Sequence, residues 1–467
     1  MTLRDYQQRA VNFALDHFMA GGNGVGFFLD PGLGKTLTTL TVADTLRGFG
    51  EVYKTLIVAP LRVVHNVWPQ EIDRWGFNFK VSIVSSPVSK KRIEALNAEA
   101  DIYLLNPESV LWLYERWKDP KQYVPGFDLL VVDESSKFKN WSAKRTPALC
   151  RLAEKIPNRL ILTGSPAPNS MTDLFSQIRI LDGGEALGKT KTYFNAHFCT
   201  KGGFRGREWI IDGDKAERGI EAAISPIVYR LSADDCLDLP PLLRNKVNVD
   251  LPPAVFKAYR QIERELFTLL DNGEKLTATN AAAKYILCQS IANGGAYKGD
   301  DFGNRDEIHV HDAKVDAVEE IIDELQGKAA IVVYQYNHDL HRLQKRFPKA
   351  PVIKGGLRQT DADRIFKDWD NKAIPVLLCQ PQAMSHGLNM QKGGNDIIWL
   401  GLTDSLETYE QTNCRIFRQG VVGPVRVHHI LANGTVDAVK YQRLKDKDQK
   451  QTALLKAFDD YRRADFE

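Results

Sequence analysis

The run Asp30-Pro31-Gly32-Leu33-Gly34-Lys35-Thr36 follows an apolar stretch, Gly26-Phe27-Phe28-Leu29, and opens a helical pattern from Lys35 to Leu46. A glycine loop leading from a strand into a helix aims backbone N–H groups and the helix N-terminus at one point, which suits phosphate oxygens. Gly32 and Gly34 permit backbone angles and a close approach that a Cβ would obstruct. In that setting the Lys35 ammonium would reach the outer phosphates of a nucleoside triphosphate, and the Thr36 hydroxyl would ligate Mg²⁺. A second feature is the pair Asp133-Glu134, which closes the apolar run Leu129-Leu130-Val131-Val132. Open parallel sheets bind ligands at the carboxyl ends of their strands. Asp133 is expected to hold Mg²⁺ through its water shell, because this ion takes few protein carboxylates. Glu134 is expected to orient and deprotonate the attacking water, a role worth about 10²–10⁴ in rate.

A third feature lies far downstream. Arg415 and Arg418 are three apart, so on a helix they would share a face. Paired guanidiniums suit the oxygens of a triphosphate, since planar forks bind phosphate bidentately. An arginine placed there stabilises charge in phosphoryl transfer and is worth about 10³–10⁵ in turnover. Supplied from the opposite domain, the pair would make ATP close the two domains and hydrolysis release them.

These residues need a scaffold. Gly26–Leu29, Thr55–Ala59, Ile102–Leu105, Leu129–Val132 and Leu160–Thr163 are short apolar runs with helical patterns between them. Apolar on both faces, they read as strands of a parallel sheet sandwiched by helices, so the fold class is α/β. The pattern returns at Ala330–Tyr334, Val376–Cys379, Ile397–Leu400 and Val425–Ile430. Between the two sets, Pro240-Pro241 and Pro252-Pro253 bracket a polar-apolar alternation, and Phe256–Leu270 and Lys284–Ala292 read as helices. The expected domains are residues 1–239 and 240–467, with a mostly helical insert over about 252–312. Gly22-Asn23-Gly24-Val25-Gly26 begins like a dinucleotide-binding loop, but it precedes the strand and has Phe27 at the last glycine position; it reads as a turn.

The 467 residues carry 62 basic and 59 acidic side chains, a formal charge of +3, with 43% hydrophobic residues. That balance excludes a disordered chain and one basic throughout, so a nucleic-acid site must be a local groove. No run reaches the length of a membrane span, and the charged start does not resemble a secretory signal. The six cysteines are scattered without a Cys-x-x-Cys pair, which reads as a reducing, cytoplasmic setting with buried thiols. His309-Val310-His311-Asp312 has ligand-like spacing, but with no partner cluster nearby it reads as a polar loop.

With these motifs in place, the chain resembles the Swi/Snf-type DNA translocases of helicase superfamily two over nearly its whole length. The short Gly-Leu-Gly-Lys-Thr loop, with Leu29 where the longer pattern has glycine, is the form of that superfamily. Leu3-Arg4-Asp5-Tyr6-Gln7 is similar to its adenine-recognition element, which implies Arg4 and Gln7 at the base. Ala59–Trp68 is similar to its DNA-contacting stretch. Leu162-Thr163-Gly164-Ser165-Pro166-Ala167-Pro168-Asn169 is similar to its coupling motif, implying that Thr163, Gly164 and Ser165 link nucleotide state to DNA grip. Ser385-His386-Gly387-Leu388-Asn389 resembles a second-domain segment that places Gly387 and Asn389 at the nucleotide, and Gln411–Gly420 resembles the arginine motif. The resemblance implies two tandem RecA-like domains that bind ATP and Mg²⁺, the loop contributing Pro31, Gly32, Leu33, Gly34, Lys35 and Thr36. Two departures stand out. Ser136 replaces the histidine common after Asp-Glu-x, which would tie the ATP site to the coupling motif, and Cys414 and Phe417 replace an aspartate and a histidine.

The expected DNA path crosses Arg62, Asn66 and Asn106 in the first half, and Gln335 and Ser385 in the second. Such polar groups position a duplex through phosphate and sugar without reading sequence. Trp68 and Trp75 suit base stacking or core packing, and core is favoured; the basic run Arg342–Arg346 reads as a solvated helix face. The resulting expectation is a monomeric, DNA-stimulated ATPase that translocates on duplex or branched DNA in a bacterial or virus-infected bacterial cell. The alternatives are a nucleotide-gated DNA clamp that recruits a nuclease or a replication or recombination partner, and an RNA-directed helicase.

Overall fold

Runs of β-branched and aromatic residues become strands here because both their faces are covered. The computed structural model describes residues 3–202, 208–237, 239–271, 278–299, 305–384 and 389–448. Its contacts divide the chain into a first unit, Met1–Asp238 with Lys447–Glu467, and a second, Leu239–Asp446.

In the first unit, β1 (Gly24–Leu29), β2 (Thr55–Val58), β3 (Val81–Ile83), β4 (Ile102–Leu105), β5 (Leu129–Asp133) and β6 (Asn158–Thr163) are strands. They are followed by a small antiparallel hairpin of β7 (Cys199–Gly202) and β8 (Glu208–Ile211), and by β9 (Val228–Leu231). The main sheet runs β3-β4-β2-β5-β6-β1-β9, and every pairing in it is parallel. β1, β2, β4 and β5 are buried along their whole length, as expected for a parallel sheet with helices on both faces. Phe28, Val132 and Ile161 share one core cluster with Leu174 and Ile178 of the helix Leu174–Asp182. Gly24 to Gly26 belong to β1 and not to a turn. A Cβ on Gly24 would sit 2.5 Å from the carbonyl oxygen of Leu181, so glycine here admits a helix pressed onto the strand.

The second unit repeats the architecture. β10 (Leu242–Val249) precedes two helices, Pro253–Asp271 and Ala278–Asn293, and an antiparallel hairpin, β11 (Gly295–Gly299) with β12 (Arg305–His309). β13 (Ala330–Val333), β14 (Val352–Ile353), β15 (Val376–Cys379), β16 (Asp396–Trp399) and β17 (Val425–Ala432) complete a parallel sheet in the order β10-β17-β16-β13-β15-β14. The insert therefore carries two helices and then a β-hairpin, and a further helix, Ala313–Glu324, leads into β13. His309 ends β12, and His311 is buried with its Nε2 2.8 Å from the Ile291 carbonyl, so this run is not a polar loop.

The basic run Arg342–Arg346 is also not simply a solvated face. Arg342 lies 3.0 Å from buried Asp339 and donates to the carbonyls of Asn293 and His311, while Arg346 pairs with Asp316 and Glu319. Fully buried Lys314 lies 2.6 Å from Asp437 and 2.8 Å from Asn293 Oδ1. Charges this deep persist because they are paired and hydrogen-bonded. Among the described residues, no helix is long and apolar enough to cross a membrane.

Buried His429 makes the second unit sensitive to acid. Its Nδ1 faces the Asn245 carbonyl at 3.0 Å and must donate, which leaves Nε2 to accept from the Tyr409 hydroxyl at 2.8 Å. That arrangement is the neutral ring, and burial pushes its pKa from 6.5 down to about 4. As pH falls between those values, the unfolded chain takes up a proton that the fold refuses. This would remove about 3 kcal/mol of stability across the window. Urea unfolding at pH 7 and pH 4.5 should show the loss, and His429→Gln should shrink it; an unchanged difference would contradict the assignment.

Candidate active site

Three neighbouring strands of the first sheet carry the site. β5, β6 and β1 lie side by side, in a register that sets Asp133 against Leu162 and Thr163 against Phe28. Their carboxyl ends therefore release Asp133-Glu134, Thr163-Gly164-Ser165 and the Asp30–Thr36 loop next to one another. In the loop, Gly32 (φ 91°) and Gly34 (φ 78°) take left-handed angles, and Gly34 caps the helix Lys35–Gly48. A Cβ on Gly164 would lie 3.1 Å from Pro31 Cδ, so the loop after β6 packs directly on the glycine loop.

The first helix, Asp5–Met19, reaches the same loop through Gln7. The buried Gln7 carboxamide accepts from the Arg4 backbone N–H at 3.1 Å and donates to the Leu33 carbonyl at 3.3 Å. A Cβ on Gly34 would come within 2.3 Å of Gln7 Nε2. Lys35 Nζ donates to the Leu29 carbonyl at 2.8 Å. Asp30 Oδ2 accepts from the Ala233 backbone N–H at 2.9 Å, tying the start of the loop to the chain after β9.

Asp133 is buried and accepts from Trp68 Nε1 at 3.1 Å. Burial pushes its pKa up, while the Lys35 charge, the Trp68 hydrogen bond and the Glu134 backbone N–H act in the opposite direction. A carboxylate in that position calls for a cationic partner. Glu134 sits in the left-handed region at φ 55°, ψ 57°. For a residue with a side chain this costs about 1–2 kcal/mol, and such strain collects at functional sites. The loop whose glycines leave room, the helix N-terminus, Thr36 beside Lys35 and buried Asp133 together fit a magnesium-bound triphosphate.

In the second unit, the expected residues follow the carboxyl ends of β13, β15 and β16. Gln335 Nε2 donates to the Gly401 carbonyl at 3.2 Å, joining the ends of β13 and β16. Asn389 Oδ1 accepts from the Arg418 guanidinium. Ser385 and Gly387 lie outside the described residues. The two arginines do not share a helix face. The helix Leu406–Asn413 ends before them, and the chain continues through turns in which Arg415 N bonds Thr412 O and Ile416 N bonds Asn413 O. Ile416 is buried in the core, and Arg415 O accepts from Met390 N; these contacts draw the chain off the helical path. Arg415 Nε donates to the Gln411 carbonyl at 3.0 Å, covering an orphan acceptor of the last turn.

The nucleic-acid candidates of the first unit differ in character. Half-buried Arg62 and Asn66 flank or occupy a π-helical turn, Val63–Val67, a form frequent at functional sites. Asn106 is buried, accepts from the Ser85 and Ser109 hydroxyls and donates to Glu108, so its carboxamide braces the loop. Trp75 is half-buried and donates to Glu71 at 2.7 Å. Two hydrogen-bond partners at the site were not foreseen from the sequence, Trp68 to Asp133 and Gln177 to Ser135. The available signal for Trp68 was that a buried indole N–H requires an acceptor.

Known proteins match the chain along most of its length. The SNF2-related domain profile matches residues 6–292, and that of the helicase conserved C-terminal domain matches residues 313–420. The chain is 36% identical over 475 residues to protein p41 of Acyrthosiphon pisum secondary endosymbiont phage 1, covering 98% of both chains. It is 25% identical over 437 residues to the DNA annealing helicase and endonuclease ZRANB3 of Mus musculus, spanning 90% of this chain and 38% of that one. Among solved structures, the SWI2/SNF2 ATPase core of Sulfolobus solfataricus in complex with dsDNA is 21% identical with a TM-score of 0.46, over 97% of this chain and 95% of that one.

Gly34→Ala should lower affinity for a fluorescent ATP analogue about tenfold or more, because the methyl group meets Gln7 and a left-handed angle is strained for alanine. Unchanged affinity would show that the nucleotide does not use this loop.

Proposed function

Because the chain belongs to the SNF2-related family, P-loop NTPases of helicase superfamily two, we propose that it is a DNA-stimulated ATPase that translocates on duplex or branched DNA. The observation that carries this reading is the side-by-side release of phosphate loop, paired carboxylates and coupling loop from three adjacent parallel strands. The name of the ZRANB3 relative, a DNA annealing helicase, supports DNA as the track.

In the proposed reaction, backbone N–H groups of residues 32–36 and the Lys35 ammonium bind the phosphates, while Arg4 and Gln7 hold the adenine end. Thr36 and, through water, Asp133 would hold Mg²⁺, which would supply positive charge to the phosphoryl oxygens. Trp68 holds the Asp133 carboxylate in place. Glu134 orients the attacking water and takes its proton. Arg415 and Arg418, together with Gly387 and Asn389, are the second unit's contribution to the nucleotide, the arginines balancing charge in the transition state. Thr163, Gly164 and Ser165 pass the state of the nucleotide toward the DNA contacts. Arg62, Asn66, Gln335 and Ser385 meet phosphate and sugar, and Asn106 acts by holding its loop.

Lys35→Ala should abolish steady-state ATP turnover, and Glu134→Gln should lower it by about 10²-fold or more while nucleotide still binds. Full turnover in either variant would remove the assigned chemistry. Arg418→Ala should slow hydrolysis by about 10³-fold with DNA binding largely intact; loss of DNA binding instead would make Arg418 a nucleic-acid contact. Duplex DNA should stimulate hydrolysis more than RNA, and ATP should drive displacement of a triplex strand. Stronger stimulation by RNA would reverse the choice of substrate. Unwinding of a forked duplex would identify a helicase, and neither activity would favour a clamp.

A further inference from the structure

We propose that Gln177 is a positioning residue that links the catalytic carboxylate end of β5 to the coupling loop after β6, an inference that rests on the ATPase reading above. Gln177 lies on the helix Leu174–Asp182 and is completely buried, as is Ser135. The Ser135 hydroxyl donates to Gln177 Oε1 at 2.6 Å. Gln177 Nε2 donates to the Pro166 carbonyl at 2.6 Å and to the Asp173 carbonyl at 2.9 Å. Both amide protons and the amide oxygen are thus used, so the side chain has one orientation and no slack.

The two ends of this link fall at informative places. Ser135 directly follows Glu134, whose left-handed backbone is the strained point of the strand end. A relaxation at Glu134 would carry the Ser135 hydroxyl with it. Pro166 lies two residues beyond Gly164, which packs on Pro31 of the phosphate loop. The contacts therefore run from the phosphate loop through Gly164, Pro166, Gln177 and Ser135 to Glu134. The helix carrying Gln177 is fixed at the neighbouring residue, where the Ser176 hydroxyl donates to the Lys139 carbonyl at 3.2 Å. The same loop is strapped again by Asn169, whose backbone N–H and Nδ2 both bond Asp173 Oδ2 at 3.0 Å. With serine at position 136, a carboxamide from the adjacent helix makes the connection between the two loops.

A residue that only braced the fold would affect stability and leave the communication intact, so communication is what the test reads. Gln177→Met keeps the length and removes the hydrogen bonds. The ratio of DNA-stimulated to basal ATP turnover should fall about fivefold or more, while the KM for ATP stays within about twofold. Ser135→Ala, which removes only one arm, should shift the ratio in the same direction and also serves if the methionine variant does not fold. In a Glu134→Gln background, which halts turnover, ATP should alter amide exchange across residues 163–169, and Gln177→Met should remove that change. An unaltered stimulation ratio, or an exchange change that persists without Gln177, overturns the proposal. If DNA fails to stimulate the unsubstituted enzyme, the translocase reading fails, and the exchange measurement still decides the role of Gln177.

Discussion

The parallel register of β5, β6 and β1 positions everything at the site edge. In an open parallel sheet, loops leave adjacent strands at the same edge, so a register fixed by core packing also fixes the spacing of the residues that follow. Asp133 opposite Leu162, and Thr163 opposite Phe28, bring the Asp133-Glu134 carboxylates, the loop after β6 and the glycine loop to one edge without long-range guidance by the loops themselves. A one-residue slip would turn buried side chains to the opposite face. Apolar burial along the strands thus holds the geometry of the candidate site as well as the fold.

Around that edge, several polar groups are held by a neighbour from another element. Trp68 holds Asp133, Gln7 holds the loop at Leu33, the Ala233 backbone N–H holds Asp30, and Gln177 spans Ser135 and Pro166. Buried hydrogen bonds of this kind cost much to break and little to keep. The left-handed Glu134 is the local exception, a strained residue inside an otherwise satisfied shell.

Much of this was legible in the sequence because the signals are local. Uninterrupted apolar runs marked β1, β2, β4, β5 and β6, and the glycine loop stood out by lying between a strand and a helix. What the sequence hid was set by distant partners. The Trp68–Asp133 and Gln177–Ser135 bonds join residues 65 and 42 positions apart. The arginine pair left the expected helix because Ile416 is drawn into the core, a tertiary preference that outweighs local propensity. Short strands such as β3 and β14 carry too few residues for periodicity to register, and Arg342 reads as surface until its buried partner Asp339 is known.

The most direct test is an experimental structure with Mg²⁺ and a non-hydrolysable ATP analogue. Phosphate oxygens are expected on the backbone N–H groups of residues 32–36, with the ion about 2.1 Å from the Thr36 hydroxyl and one water away from Asp133. A triphosphate bound elsewhere, or an ion that engages neither Thr36 nor Asp133, would contradict that expectation.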